Sequence, residues 1–399
     1  MPLDGGADWI SVKLGEVTSS FAGGTPSRSK PEYFGPGVAW LKSGEIRAGL
    51  IETTGESITE LGLKESSARI ARAGTPVIAM YGATAGVAGI LVIDAALNQA
   101  VLAVLPRADV LDSEFCFRLL QSHTPRLLEL TQGSGQPNLS KNLIEGLEVA
   151  LPPLDEQRRI AEVLRSVDEA IAATQAVIKL AETLWHGLTE TLIWGLENQS
   201  PDCVHSIGTA LRTSDYGVNV PLTTEPIGHP VLRMGNIQDG RIDLTELKWG
   251  EVPASEAQAL ALKEGDILFN RTNSRDLVGK VALVREPTDC LYASYIVRLS
   301  VDRTVADPYY LFAAMHSDRA QGTFKAIATP GVGQSNINPT NLKKQVVPLP
   351  ELAVQRTIAA QIRSVEDVRL ATKRELGALR IIQKDLAANL LSGRVRVPA

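Results

Sequence analysis

The chain has 399 residues, 44% hydrophobic and 21% charged, which suits two or three globular domains with sizeable cores. A net charge of −5 argues against gripping nucleic acid by bulk positive charge alone, and leaves room for DNA binding through local loops or beside a basic partner. No apolar run is long enough to span a bilayer and the N-terminus lacks a basic, apolar leader pattern, so a cytoplasmic location without a membrane role is expected.

Residues 1–150 mix short apolar runs with Gly and Pro punctuation. The pattern predicts strands at 38–41, 75–81, 89–93 and 100–105, and short helices at 113–120 and near 125–130. Gly23-Gly24-Thr25-Pro26-Ser27-Arg28-Ser29-Lys30 reads as an exposed turn-rich loop. An α+β domain is expected.

Residues 151–198 organise the chain. Pro152 and Pro153 end what precedes, and Asp155 and Glu156 suit the first turn of a helix. Ile160, Leu164, Val167, Ile171, Thr174, Ile178, Ala181, Trp185, Leu188 and Leu192 alternate spacings of four and three, the heptad seam that lets helices pack lengthwise. Gly195 and Pro201 are the predicted stop signals, giving a helix roughly 60 Å long at ~1.5 Å per residue.

Residues 199–348 repeat the first segment. Leu41, Gly44, Ile46, Gly49 and Ile51 match Leu232, Gly235, Ile237, Gly240 and Ile242, and Gly74 matches Gly265, all 191 residues on. Gly133, Gly135, Gln136 and Asn138 match Gly331, Gly333, Gln334 and Asn336 at an offset of 198. The matches are mostly Gly and aliphatic, hence turns and core, while the differences fall on polar loop residues.

Residues 349–399 repeat the organising stretch: Gln157-Arg158, Ile160-Ala161 and Arg165-Ser166-Val167 recur as Gln355-Arg356, Ile358-Ala359 and Arg363-Ser364-Val365. The seam continues as Ile358, Ile362, Val365, Thr372, Leu376, Leu379, Leu386 and Leu390, with Arg369 and Gln383 in two of its places. Ile382 beside Gln383 suggests a locally shifted stripe, and Ser392-Gly393 an end. Two seams in one chain are most simply buried on each other.

No catalytic constellation stands out. Asp307-Pro308-Tyr309-Tyr310 lacks the second proline of an amino-methyltransferase motif and reads as a helix start. No P-loop, nucleotide-binding fingerprint, nucleophile elbow or zincin motif is present. The three cysteines and five histidines are scattered without metal or redox spacing.

The arrangement resembles the specificity (S) subunit of type I restriction–modification systems. The resemblance rests on Leu151-Pro152-Pro153-Leu154-Asp155-Glu156-Gln157-Arg158-Arg159-Ile160-Ala161 and its second copy from Leu349 to Ala359. Gly23-Gly24-Thr25-Pro26-Ser27 with Trp40-Leu41, and the run from Gly265 to Ser274 with Leu277-Val278-Gly279, add to it. Glu351-Leu352-Ala353-Val354-Gln355 departs from the family's usual Pro-Leu-x-Glu-Gln. The resemblance implies two target recognition domains (1–150 and 199–348) joined by two spacer helices (151–198 and 349–399) packed as an antiparallel coiled coil with pseudo-two-fold symmetry. It further implies double-stranded DNA as ligand, each domain reading half of a split site. Two modification (methyltransferase) subunits and motor–nuclease restriction subunits would be partners in phage defence. S-adenosylmethionine, ATP and Mg would sit on those partners and no cofactor on this chain, which would itself be non-catalytic.

Loop side chains that could reach base edges or phosphates follow from donor chemistry. In the first domain they are Arg28, Lys30, Tyr33, Lys42, Tyr81, Thr84, Gln136 and Asn138. In the second they are Arg212, Tyr216, Arg233, Asn270, Arg271, Asn273, Arg275, Gln334 and Asn336. Asn138 and Asn336, matched in the two copies, read better as turn or scaffold residues. Two rival readings are a coiled-coil scaffold without DNA binding and a self-sufficient methyltransferase with a duplicated recognition region.

Overall fold

The computed structural model describes residues 8–47, 49–130, 138–331 and 333–397. The chain divides into two compact units, residues 1–173 with 375–399, and residues 174–374. Each unit contains one α/β head and a portion of each long helix, so the helices are not domains apart from the heads.

In the first unit the main sheet runs Thr18–Ala22, Val101–Pro106, Pro76–Ala79, Ala88–Leu91, Gly49–Ile51. A second sheet runs Glu56–Ile58, Phe34–Leu41, Ala95–Leu97, Arg69–Ala71. Pro76–Ala79 and Ala95–Leu97 are buried throughout, which is why they read as continuous apolar runs. The helix Ser113–Glu129 covers the main sheet, its first turn capped by the Asp112 carboxylate accepting from the Phe115 N–H at 3.0 Å. Two short helices were expected here, but one helix passes through Pro125. Just before the proline the Thr124 hydroxyl donates to Gly86 O at 2.6 Å, tying the helix to the segment that enters the main sheet.

The second unit repeats the strand order, with one edge strand fewer in each sheet. Its main sheet runs Leu211–Tyr216, Ile296–Val301, Ile267–Asn270, Val281–Leu283, and its second sheet Lys248–Gly250, His229–Leu232, Leu291–Tyr292. The expected helix start at Asp307 is present, with Asp307 accepting from the Tyr310 N–H at 2.9 Å above the helix Pro308–His316.

One buried glutamine fastens each head to its long helix. Gln157 accepts from the Asp112 N–H and donates to Val110 O and Pro152 O, each at 2.9 Å. Gln355 accepts from the Asp307 N–H at 3.0 Å and donates to Val305 O at 3.0 Å and Pro350 O at 2.7 Å. The side chain thus ties the residue before the head's helix to the turn that starts the long helix. That explains why the glutamine belongs to the repeated sequence.

The central helix is Leu154–Leu188 and the terminal helix Leu352–Leu391. In the first unit Ile160, Ala161 and Leu164 share a core with Leu390 and Leu391. In the second, Trp185 shares a core with Ile358, Ala359 and Ile362. Every predicted seam residue of the central helix is buried or half-buried. The terminal stripe does not shift at Gln383. Ile382 is 47% exposed, while half-buried Gln383 donates to the Asp168 carboxylate. Arg369 likewise stays in the seam, 3.4 Å from Glu182 and 3.2 Å from Asp239. A polar side chain keeps a seam place where an acid meets it.

The predicted stop at Gly195 is also corrected. After Leu188 the helix widens into a π turn, Thr189–Trp194, closed by the Gly195 N–H donating to Glu190 O at 2.9 Å, and a further turn follows at Leu196–Gln199. Gly195 is needed for space, since a Cβ there would lie 2.3 Å from Thr191 O. The terminal helix ends as expected, with Gly393 at φ +73°.

Candidate nucleic-acid interface

In the first head the strand Thr18–Ala22 ends in a glycine pair that lets the loop cross the second sheet. A Cβ on Gly23 would lie 1.8 Å from Leu97 O, and one on Gly24 2.0 Å from Ser67 Oγ. Trp40 Nε1 donates to Gly24 O at 3.2 Å and holds the turn down. Gly217 does the same in the second head, its Cβ position 1.9 Å from Tyr292 O.

Beyond the turn, Arg28 and Lys42 converge on Glu56, at 2.8 Å and 2.6 Å. The Arg28 guanidinium also lies over the Phe34 ring, 4.2 Å from its centroid. Lys42, then Arg28, hold the Glu56 carboxyl below its ordinary range. Lys30, Tyr33 and Glu65 form a second group in which the Lys30 amine donates to the Tyr33 hydroxyl and the hydroxyl to Glu65. These bonds raise the Lys30 amine and lower the Glu65 carboxyl, the Tyr33 hydroxyl being the larger cause in each. Tyr33 is 3% exposed, so as a base reader it is withdrawn; its ring is core and its hydroxyl orients Lys30 and Glu65.

Thr84 donates to Ser43 O at 2.9 Å, fixing its loop beside the turn after Lys42. Tyr81 and Asn138 pair across an antiparallel bridge. Gln136 lies outside the described residues. Arg69, which the sequence reading passed over, is exposed and lies over the Phe21 ring at 3.9 Å, with no carboxylate in ion-pair range among the described residues. The alternation around it signals a strand but not the stacking.

In the second head Arg271 donates through Nη2 to Asn336 Oδ1 at 2.9 Å, and its guanidinium carbon is 5.1 Å from the Tyr216 ring centroid. Asn336 donates onward to Thr272 Oγ1 at 2.8 Å. Two other candidates are withdrawn. Asn270 is fully buried in the strand Ile267–Asn270, and Asn273 is 8% exposed with its carbonyl accepting from the Ser274 N–H at 2.8 Å. Both lie in a polar run, but strand geometry turns them inward. Arg275 and Gln334 are exposed, and Arg212 is paired with Asp302 at 3.5 Å. Arg233 donates to Glu246 O at 3.0 Å. Each head therefore presents anchored basic side chains, joined in the second head by the amide of Asn336, the chemistry suited to phosphates and base edges.

The family model described as type I restriction modification DNA specificity domain matches residues 6–183 and 217–378. The putative type I restriction enzyme MjaX specificity subunit of Methanocaldococcus jannaschii is 30% identical over 191 residues, 47% of this chain and 45% of the relative. The EcoKI specificity subunit of Escherichia coli K12 is 23% identical over 256 residues, 60% of this chain and 55% of the relative. The chain thus spans about half the length of these two relatives. The crystal structure of the type I restriction–modification S subunit from M. genitalium has the same fold, with TM-score 0.66 and 15% identity over 98% of both chains. No described helix is long and apolar enough to cross a membrane. With two matched segments that take in most of its length, the chain belongs to the type I restriction modification DNA specificity domain family.

Proposed function

We propose that this chain is the non-catalytic, sequence-reading subunit of a type I restriction–modification enzyme acting on double-stranded DNA. Each head reads one half of a split site. The two long helices form an antiparallel coiled coil with pseudo-two-fold symmetry, which sets the half-site spacing and docks two modification subunits that methylate adenine. S-adenosylmethionine belongs on those subunits, and ATP and Mg on an associated motor–nuclease subunit. One observation carries the reading: a single head scaffold occurs twice, with the same strand order, glycine approach and glutamine fastening, while its loop side chains differ. A duplicated core with divergent loops suits two readings of one ligand class.

Footprinting of the chain assembled with its modification subunits, at a stated salt concentration, tests this. Two protected patches separated by an unprotected or sequence-indifferent gap are expected. A complex that assembles but protects no sequence would favour the rival reading of a scaffold without DNA binding.

A further inference from the structure

The backbone registers of the two heads identify equivalent positions without reference to side chains. In the first head the Met80 N–H donates to Ala100 O at 2.8 Å and the Leu139 N–H to Met80 O at 2.7 Å. In the second, the Arg271 N–H donates to Tyr295 O at 3.1 Å and the Ile337 N–H to Arg271 O at 2.8 Å. Arg271 therefore stands where Met80 stands. Gly23 donates to Val101 O and Gly217 to Ile296 O, each at 3.4 Å, which places Tyr216 where Ala22 stands. The neighbouring asparagine, Asn138 or Asn336, is kept.

Two positions thus change together on a shared scaffold. Ala22 and Met80 pack into the apolar core of the first head, and Met80 is 8% exposed. Tyr216 is 50% exposed and carries the Arg271 guanidinium on its ring. The fold evidently does not need a cation here. Nor is Arg271 a structural ion pair, since no carboxylate lies in range of it among the described residues. Arg298 shows the contrast: half-buried, it is paired with Asp215 at 2.8 Å and bonded to Ala261 O at 2.9 Å. Phosphate oxygens accept from many donor types and directions, whereas a base edge needs donors held in one orientation. Arg271 is a planar fork, stacked on an aromatic ring and oriented by an amide that is itself held by Thr272. Asn336 takes one Nη2 hydrogen, and among the described residues Nη1 has no hydrogen-bond partner. The two terminal nitrogens therefore keep three donor hydrogens, enough for two adjacent acceptors, which in the major groove are guanine O6 and N7.

We propose that Arg271, stacked on Tyr216 and oriented by Asn336, reads a guanine in the half-site of the second head, and that the first head has no counterpart at this position. This rests on the reading of the chain as a DNA-recognition subunit.

The first head supplies a variant that the scaffold accommodates: Arg271→Met, alone and with Tyr216→Ala. The full chain, assembled with its modification subunits, is used to select sites from a DNA library with both half-sites randomised, at fixed salt. The wild type should select guanine at one position of one half-site. Arg271→Met should flatten that position, with a roughly 5- to 150-fold loss of discrimination. The other half-site should stay unchanged, which also shows that the variants are folded. Retained guanine preference in Arg271→Met would overturn the inference alone. So would a uniform loss of affinity across all sequences with a shallower salt dependence, the mark of a phosphate contact. A wild-type complex that selects no sequence would overturn the functional reading and this inference with it.

Discussion

Single side chains fasten the heads, and they do so unequally. Gln157 and Gln355 are buried, and each satisfies one backbone donor and two backbone acceptors. Gln157→Ala or Gln355→Ala should cost about 2–4 kcal/mol, from three bonds at about 1 kcal/mol each and the buried groups left unpaired. Denaturant unfolding measures it, and a Leu substitution should not rescue, because it fills space without bonding. Glu156 has no such twin. The terminal segment returns Arg396 to grip it with two bonds, at 2.6 and 2.7 Å, while the matching position of the second copy is Val354, 42% exposed. The departure from the family's acid at that place therefore removes this kind of clasp from the second copy. Arg396 holds the Glu156 carboxyl below its ordinary value of 4.5. A carboxyl whose folded pKa lies below its unfolded one adds stability above the unfolded value, and the gain is lost as pH falls through the folded value. Arg396→Ala should therefore lower the melting temperature at neutral pH, and the gap to wild type should narrow below about pH 4.5. A gap that stays constant through the acid range would mean that the pair acts by packing alone. At this scale the sequence was only partly legible. Residue type could nominate Tyr33 and Asn270 as readers, but only the fold shows that one ring and one amide point inward.

Among the elements, legibility followed periodicity. The central seam could be read residue by residue, because a four–three alternation sustained over many turns has few structural solutions. Both heads were legible as repeats through glycines such as Gly74 and its match Gly265, whose φ of +82° and +90° disfavours any other residue. What could not be read was local and cooperative. Gln383 and Arg369 break the apolar pattern, yet hold the seam because Asp168, Glu182 and Asp239 meet them, and those partners lie far away in sequence. The helix through Pro125 and the π turn past Leu188 depend likewise on side-chain and backbone bonding that a propensity rule omits. The π turn gives a direct test. Gly195→Ala would place a methyl 2.3 Å from Thr191 O, so the turn must move. A cost of about 1–3 kcal/mol is expected, as for other overpacked sites. Thermal or denaturant unfolding checks it, and a neutral result would mean that the turn relaxes into regular helix without penalty.

The whole molecule is two units that share two helices, and the division falls at residues 173–174 in one helix and 374–375 in the other. These are the points at which length can change with least harm to either unit's internal packing. If the paired helices set the gap between half-sites, as proposed, adding four residues at both points should lengthen each helix by about one turn, ~6 Å at 1.5 Å per residue. Four residues is close to the 3.6-residue period, so both seams keep nearly the same face. A two-residue insertion turns the seam by more than half a turn and should fold poorly. An insertion in one helix alone should misalign the pairing of Gln383 with Asp168 or of Arg369 with Glu182. With B-DNA rising ~3.4 Å per base pair, the preferred gap should grow by roughly one or two base pairs. Each half-site sequence should stay as it was, because no loop of either head has changed. Selection from a library with fixed half-sites and variable gap measures the shift. A folded, DNA-binding variant with an unchanged gap would mean that the modification subunits, rather than these helices, set the distance.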